Sequence, residues 1–168
     1  MIAKLIVEGK EFPIEIQDPE LQKLLAPQKK TGYERVELNE RFYSVGADNS
    51  ILAPIDDYFL EHDARYDTAN YYSSQTVAEN NARADELMRQ LRRFAVEHRK
   101  QEIDWNSEVQ NKFSILYDYS DNEVAVERDI YGRYHGIVYF DSIEIARLAI
   151  ATFHDELIWY FTEYKDSL

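Results

Sequence analysis

Apolar and polar residues alternate with a two-residue period in several short stretches of the chain, and longer helical patterns separate these stretches. The first stretch, "KLIVEGKEFPIEI", alternates around Glu8-Gly9-Lys10 and predicts a β-hairpin. The next, "DPELQKLLA", predicts a short helix with Asp18 as N-cap and Pro27 beyond its end. Residues 1–32 therefore form a predicted N-terminal hairpin and short helix.

A second group of patterns covers residues 33–100. "GYERVELNERFYSVGADNSILAPI" predicts a small meander with turns at Asn39-Glu40 and Asp48-Asn49. Residues 56–70 show no clear period, and we predict a loop there. Residues 75–99 have apolar positions at helical spacing behind Ser74, which predicts a long helix capped by that serine.

The third group repeats this order after a polar linker at residues 101–112. "KFSILYDY", "EVAVERD" and "RYHGIVYF" predict a three-stranded meander, and residues 143–164 predict one terminal helix capped by Ser142. The strand-to-helix hinges "YYSSQTVA" and "YFDSIEIA" match each other, through either duplication or convergence on good capping. The predicted class is α+β: two antiparallel β-meander-plus-long-helix modules, 33–100 and 113–168, with helices packed on the sheets, as one compact unit or two small halves.

Composition limits the possible chemistry. The 168 residues include 13 tyrosines and no cysteine, which excludes disulfides and cysteine-ligated metals. The first ten residues are too charged for a signal peptide, and no apolar run approaches the ~20 residues that span a bilayer. We therefore expect a soluble, cytoplasmic protein without a membrane partner. The formal net charge of −13 argues against direct DNA binding through phosphate contacts.

Catalytic motifs are sparse. The sequence has no glycine-rich phosphate loop, nucleophile elbow or paired-histidine helix, so we predict a protein without enzymatic activity, cofactor or resident metal. The alternative is a small metal-dependent nuclease or RNA-processing enzyme. It would use Asp56, Asp57 and the tripeptide Glu61-His62-Asp63, together with the arginines of the long helix.

The net negative charge lies in two blocks of the chain. Residues 31–70 carry three basic and nine acidic residues, a net charge of −6. Residues 113–168 carry four basic and eleven acidic residues, a net charge of −7. Glu123, Glu127 and Asp129 share strand parity and so project from one face of the predicted sheet. This row is either a solvated face or a contact surface that resembles a nucleic-acid backbone in its charge. The predicted contact residues are Asp118, Tyr119, Asp121, Glu123, Glu127, Asp129, Tyr131, Tyr134 and Asp141.

Residues 31–164 resemble a family of small accessory proteins from phages and mobile elements of Gram-positive bacteria. The resemblance rests on "GYERVELNERFYSV", "ANYYSSQTVAENNARADELMRQLRRFA", "IDWN" and "YFDSIEIARLAIATFHDELIWYF". Some proteins of this setting are anti-CRISPR inhibitors of type II effector nucleases. The resemblance implies a non-enzymatic protein that acts in the host cytoplasm on a host effector, such as a CRISPR nuclease or its guide-RNA complex. A homo-oligomeric structural protein of the phage particle is the other alternative.

Overall fold

The computed structural model describes residues 2–7, 10–25 and 30–168, and the chain divides into two compact units, residues 1–31 and 32–168. In the first unit, β1 (Ile2–Val7) pairs antiparallel with β2 (Lys10–Glu15), with Ile2 opposite Glu15, which confirms the predicted hairpin. Helix α1 (Pro19–Leu25) follows Asp18, whose Oδ1 accepts the N–H groups of Glu20 and Leu21 at 2.8 and 3.2 Å. The predicted turn at residues 8–9 and Pro27 lie outside the described residues.

The second unit begins with a small antiparallel arrangement. Strands β3 (Ser44–Val45) and β4 (Ile51–Leu52) pair around a turn in which Asn49 adopts a left-handed φ of 68°. Single bridges join residue 41 to 55 and residue 43 to 72. The predicted meander is therefore present in a short form, and its last bridge ties it to the first hinge.

The predicted loop at residues 56–70 is wrong over its middle part, because Leu60–Asp67 form the helix α2. None of the residues of α2 is buried, so the helix has no apolar stripe in the sequence to reveal it. Polar contacts hold it instead. The Arg65 guanidinium donates to Glu61 one turn earlier and to the hydroxyl of Ser44 on β3.

Both predicted hinges lead into helices that are capped as expected. Ser74 accepts the N–H of Val77 at the start of α3 (Gln75–Glu97), and Ser142 accepts the N–H of Ile145 at the start of α4 (Ile143–Thr152). Each hydroxyl satisfies one of the main-chain donors that a helix start leaves without a partner.

The predicted terminal helix is two helices. A break at Phe153, with φ −113° and ψ 23°, separates α4 from α5 (His154–Thr162). The Phe153 ring contacts Phe94 of α3 at 5.5 Å between centroids. On either side of this break, α4 and α5 both pack on α3.

The second meander has two strands, β5 (Lys112–Asp118) and β6 (Glu123–Asp129), joined by a turn at Asn122. The third predicted strand, within residues 133–140, is wrong. Only Phe140 bridges, and it bridges to Phe113 of β5 rather than to β6. Gly136 has a left-handed φ of 77°, which interrupts the extended course that a strand requires.

The class is therefore α+β. One hydrophobic cluster combines Leu87 and Leu91 of α3 with residues of α4 and α5, and the inner face of the β5–β6 hairpin packs against it. A smaller cluster places Val77 of α3 against the β3–β4 region. In the described part of the chain, no helix combines the length and apolar character needed to cross a membrane.

Candidate functional site

The predicted row of carboxylates shares one face of the β5–β6 hairpin. Glu123 and Glu127 are exposed on this outward face, whereas Ser114 and Lys112 at its far end are buried. The register places Asp118 opposite Glu123, Ser114 opposite Glu127 and Lys112 opposite Asp129. Directly opposed side chains of antiparallel strands share one face of the sheet, so these carboxylates project together. We call Asp118, Asp121, Glu123, Glu127 and Asp129 the acidic face.

The opposite face of the hairpin fixes this orientation. Phe113, Ile115, Val124 and Val126 pack against the cluster formed by α3, α4 and α5. A slip of one residue in either strand would move this apolar set into solvent, so burial of the inner face determines which residues project outward.

Lys112 shares this face, but within the described part of the chain it forms no ion pair with the carboxylates. Its side chain is only 1% exposed, and Nζ donates to the carbonyl oxygens of Ser107, Gln110 and Ile130 at 3.2, 3.3 and 2.9 Å. Within the described part of the chain, neither Glu123 nor Glu127 forms an ion pair. The charge of these two glutamates is therefore available to a partner.

The carboxylates at the two ends of the hairpin also shape the backbone. Asp118 Oδ1 accepts the hydroxyl and the N–H of Ser120, at 2.6 and 2.8 Å, and these hydrogen bonds lower the pKa of Asp118. Asp129 Oδ1 accepts the N–H of Gly132 at 2.8 Å, where the chain leaves β6. Asp118 and Asp129 thus have a local structural role in addition to their charge.

The three predicted tyrosines flank the acidic face along the chain. Tyr119, 74% exposed, precedes the turn, and Tyr131 and Tyr134, 84% and 62% exposed, follow β6. Tyrosine offers an apolar ring and a hydroxyl at little conformational cost, which suits a contact surface. The tyrosines and the carboxylates are thus joined in one stretch, residues 118–134.

Asp141 does not belong to this surface, and its prediction as a contact residue is wrong. It is 4% exposed, and its Oδ2 accepts the N–H groups of Lys100 and Gln101 at 2.8 and 2.9 Å. Sequence reasoning read it by its charge alone. Its partners lie about 40 positions earlier, and no local pattern signals them.

A second polar cluster surrounds Asp56, which is fully buried. Arg35 Nε and the Tyr71 hydroxyl donate to Asp56 Oδ2 at 3.1 and 2.7 Å, and the N–H of Tyr58 donates to Oδ1 at 2.9 Å. Burial by itself raises the pKa of Asp56, but the hydrogen bonds from Arg35 and Tyr71 outweigh it and lower that pKa to about 2. Sequence reasoning named Asp56 but missed Arg35 and Tyr71, which have no motif to mark them.

The possible metal ligands only partly converge. Ligand atoms of Asp56, Asp57 and His62 lie within 4.8 Å of one another, and His62 Nδ1 lies 3.0 Å from Asp57 Oδ1. Glu61 and Asp63 form ion pairs with Arg65 and Arg35 instead. Because both oxygens of Asp56 already accept hydrogen bonds, a cation at this position would have to compete with the Arg35 guanidinium.

Two arginines of α3 are engaged within the chain. Arg83 binds Glu156 through two hydrogen bonds and lies over the Trp159 ring at 4.0 Å, and Arg89 donates to Asn49. Arg92 and Arg93 are exposed, and Arg93 approaches Glu97 only at 3.9 Å. Arg83 and Arg89 therefore serve internal contacts, which leaves a smaller basic surface than the sequence predicts for an RNA-processing enzyme.

No protein-family profile, curated protein or solved structure matches the chain. The function is therefore argued from the geometry of the acidic face.

Proposed function

We propose that the protein is a non-enzymatic inhibitor that occupies the basic, nucleic-acid-binding groove of a host effector through its acidic face. The observation that carries the proposal is the common outward projection of Glu123 and Glu127, without internal cations to neutralise them. A fixed array of one sign of charge attracts an array of the opposite sign and speeds encounter.

The density of charge supports this proposal. Residues Glu123 to Asp129 span about 20 Å of strand. One strand of DNA carries a phosphate every ~3.4 Å of helix axis, or about six over that length. The acidic face presents five carboxylates over a similar extent, counting Asp118 and Asp121 on the neighbouring strand and turn.

The sequence resemblance makes a type II CRISPR nuclease in the host cytoplasm the first partner to test. Binding is measured by biolayer interferometry, with and without guide RNA, across a salt series from about 50 to 500 mM. Surface charges are screened beyond about 8 Å at physiological ionic strength, so affinity should fall steadily with salt. No binding to either form of the effector refutes this choice of partner.

Charge reversal tests the surface itself. Asp121→Lys, Glu123→Lys and Glu127→Lys together should weaken binding about 100-fold or more, because each reversal places like charges against the partner. Asp129 is left intact, since it holds the N–H of Gly132.

The matched control reverses Asp67, Glu79 and Asp166, which are exposed elsewhere in the unit, so the net charge changes equally. Equal loss of binding in the two triple variants would show that only net charge matters, and would refute the surface assignment.

The non-enzymatic part of the proposal has its own test. The protein is incubated in excess with labelled RNA and DNA in the presence of Mg²⁺ or Mn²⁺. Cleavage by the wild type that is lost in both Asp57→Ala and His62→Ala would contradict the proposal and support the metal-dependent alternative.

A further inference from the structure

An apolar slot of about 380 Å³ lies alongside β5, between that strand, residues 135–138, α3 and α5. Its walls include Leu91 of α3, Phe161 of α5, Ile115 and Leu116 of β5, and Ile137. A cavity of this size and composition is in the range of binding sites rather than of packing defects.

The slot follows the edge of β5 and not one face of it. Ile115 and Leu116 are consecutive, so their side chains point to opposite faces of the hairpin, yet both line the slot. The consecutive residues Gly136, Ile137 and Val138 line the other side. The slot therefore separates two neighbouring lengths of main chain.

The edge of β5 presents unused main-chain groups to this slot. Phe113 exchanges both main-chain hydrogen bonds with Phe140, at 3.0 and 2.7 Å, which closes one end. In an antiparallel strand alternate residues direct their N–H and C=O groups to the same side, so Ile115 and Tyr117 present theirs at the same edge as Phe113. Ile115 itself lines the slot, and Tyr117 lies two residues further along that edge. In the described part of the chain, neither residue has a main-chain hydrogen bond on that side.

We propose that the slot accepts an extended peptide segment, which adds to the edge of β5 as a further strand. Main-chain pairing supplies the affinity in this mode of recognition, and pockets for alternate side chains supply the specificity. An apolar small molecule would fill the volume but would leave the donors and acceptors of Ile115 and Tyr117 without partners. The two observations together therefore favour a peptide.

The two faces of the hairpin define the side chains of this segment. Side chains on its inner face meet the wall formed by Leu91 and Phe161, and are aliphatic. Side chains on its outer face continue the face of Asp118 and Glu123, so a lysine or arginine near the open end of the slot complements them. This inference rests on the proposed function, because it names the kind of segment that the basic partner presents.

The probe is an acetylated, amidated heptapeptide of alternating valine and lysine, titrated to about 1 mM into nitrogen-15-labelled protein. We expect the amide signals of Ile115 and Tyr117 to shift and their hydrogen exchange to slow. In a second heptapeptide, the backbone amides that would pair with β5 are N-methylated. It keeps the same side chains but loses these N–H donors, so it should bind at least tenfold more weakly. No shift with the first peptide, or equal binding of the second, overturns the proposal.

Substitutions locate the site. Ile137→Trp, at a residue 41% exposed, fills the slot and should weaken peptide binding at least tenfold. Val109→Trp, at a residue 86% exposed and outside the slot lining, adds the same ring and should have no effect. Circular dichroism checks that both variants fold. If the neutral dye Nile red binds in the slot and the peptide does not, the occupant is a small molecule and the proposal is wrong.

Binding to the effector separates this inference from the proposed function. If the acidic-face reversals weaken binding to the effector and Ile137→Trp does not, the slot is rejected as the partner's site and the proposed function is kept. If the peptide binds in the slot but the protein binds no effector, the slot is kept as a peptide site and the proposed function is rejected.

Discussion

Replacing Asp56 with alanine should be among the most damaging single changes in the second unit. The carboxylate is fully buried and accepts hydrogen bonds from Arg35, Tyr71 and the N–H of Tyr58. Alanine removes the acceptor of the buried Tyr71 O–H and of Arg35 Nε, whereas the Tyr71 hydroxyl still accepts the N–H of Val36 and Arg35 still pairs with Asp63. It also opens a gap beside the Phe42–Tyr71 ring stack, whose centroids are 4.1 Å apart.

The size of the loss follows from these contacts. Removing one partner of a buried ion pair costs about 3–5 kcal/mol. Part of the Arg35 side chain, 27%, remains exposed and can recover water, which favours the lower end of that range. We therefore expect a loss of about 3 kcal/mol in the free energy of unfolding, or roughly 6–12 °C in Tm.

The assay is urea unfolding at pH 7, followed by far-UV circular dichroism and extrapolated to zero denaturant. Asp67→Ala, at an exposed residue of α2, is the control and should change the free energy by less than about 0.5 kcal/mol. A loss below about 1 kcal/mol for Asp56→Ala would refute the reasoning, because the buried network would then contribute little.

The same carboxylate makes the stability of the protein depend on pH. The pKa of Asp56 falls from the ordinary value of 3.8 to about 2 on folding. Its contribution to the free energy of unfolding is therefore present above pH 4 and is lost as the pH falls through 2. The shift corresponds to about 2 kcal/mol. The difference in stability between the wild type and Asp56→Asn, which cannot titrate, should therefore narrow by about that amount between pH 5 and pH 2. A constant difference would mean that Asp56 does not titrate in this range.

Three further changes test the scaffold, each by urea unfolding. Ser142→Ala removes the cap of α4 and should cost about 1 kcal/mol; Ser142→Gly should cost less, and equal losses would exclude a capping role. Asp141→Ala leaves the N–H groups of Lys100 and Gln101 without their acceptor and should cost about 1–3 kcal/mol, whereas a neutral effect would show that water replaces the carboxylate. Ala149→Leu forces three carbon atoms into a fully buried position and should cost about 1–3 kcal/mol; a gain would reveal unfilled space beneath α4.

Local signals in the sequence were sufficient for the starts of α1, α3 and α4 and for the turns at Asn49 and Asn122. Ser74 and Ser142 cap the helices they precede, and Asn49 and Asn122 adopt the left-handed conformation that their turns require. In each case the determining residues lie within a few positions of one another. The alternation in β5 and β6 likewise identified the outward carboxylates.

Features that depend on distant residues were not predictable in this way. Helix α2 has no buried residue, so no apolar period marks it. The stretch "RYHGIVYF" has strand-like composition, but the left-handed Gly136 and the pairing of Phe140 with β5 leave it unpaired over most of its length. Asp141 looked like a surface acid because its main-chain partners lie in another part of the chain.

The contact of Asp141 with residues 100 and 101 closes a chain segment of about 40 residues that contains the whole β5–β6 hairpin. The entropy of closing a flexible loop grows only logarithmically with its length, by about 0.6 kcal/mol for each doubling. Insertions at the tip of the hairpin, near Asp121, should therefore be tolerated while both ends of the segment stay anchored. The scaffold can therefore keep its fold while the acidic face changes in length and sequence.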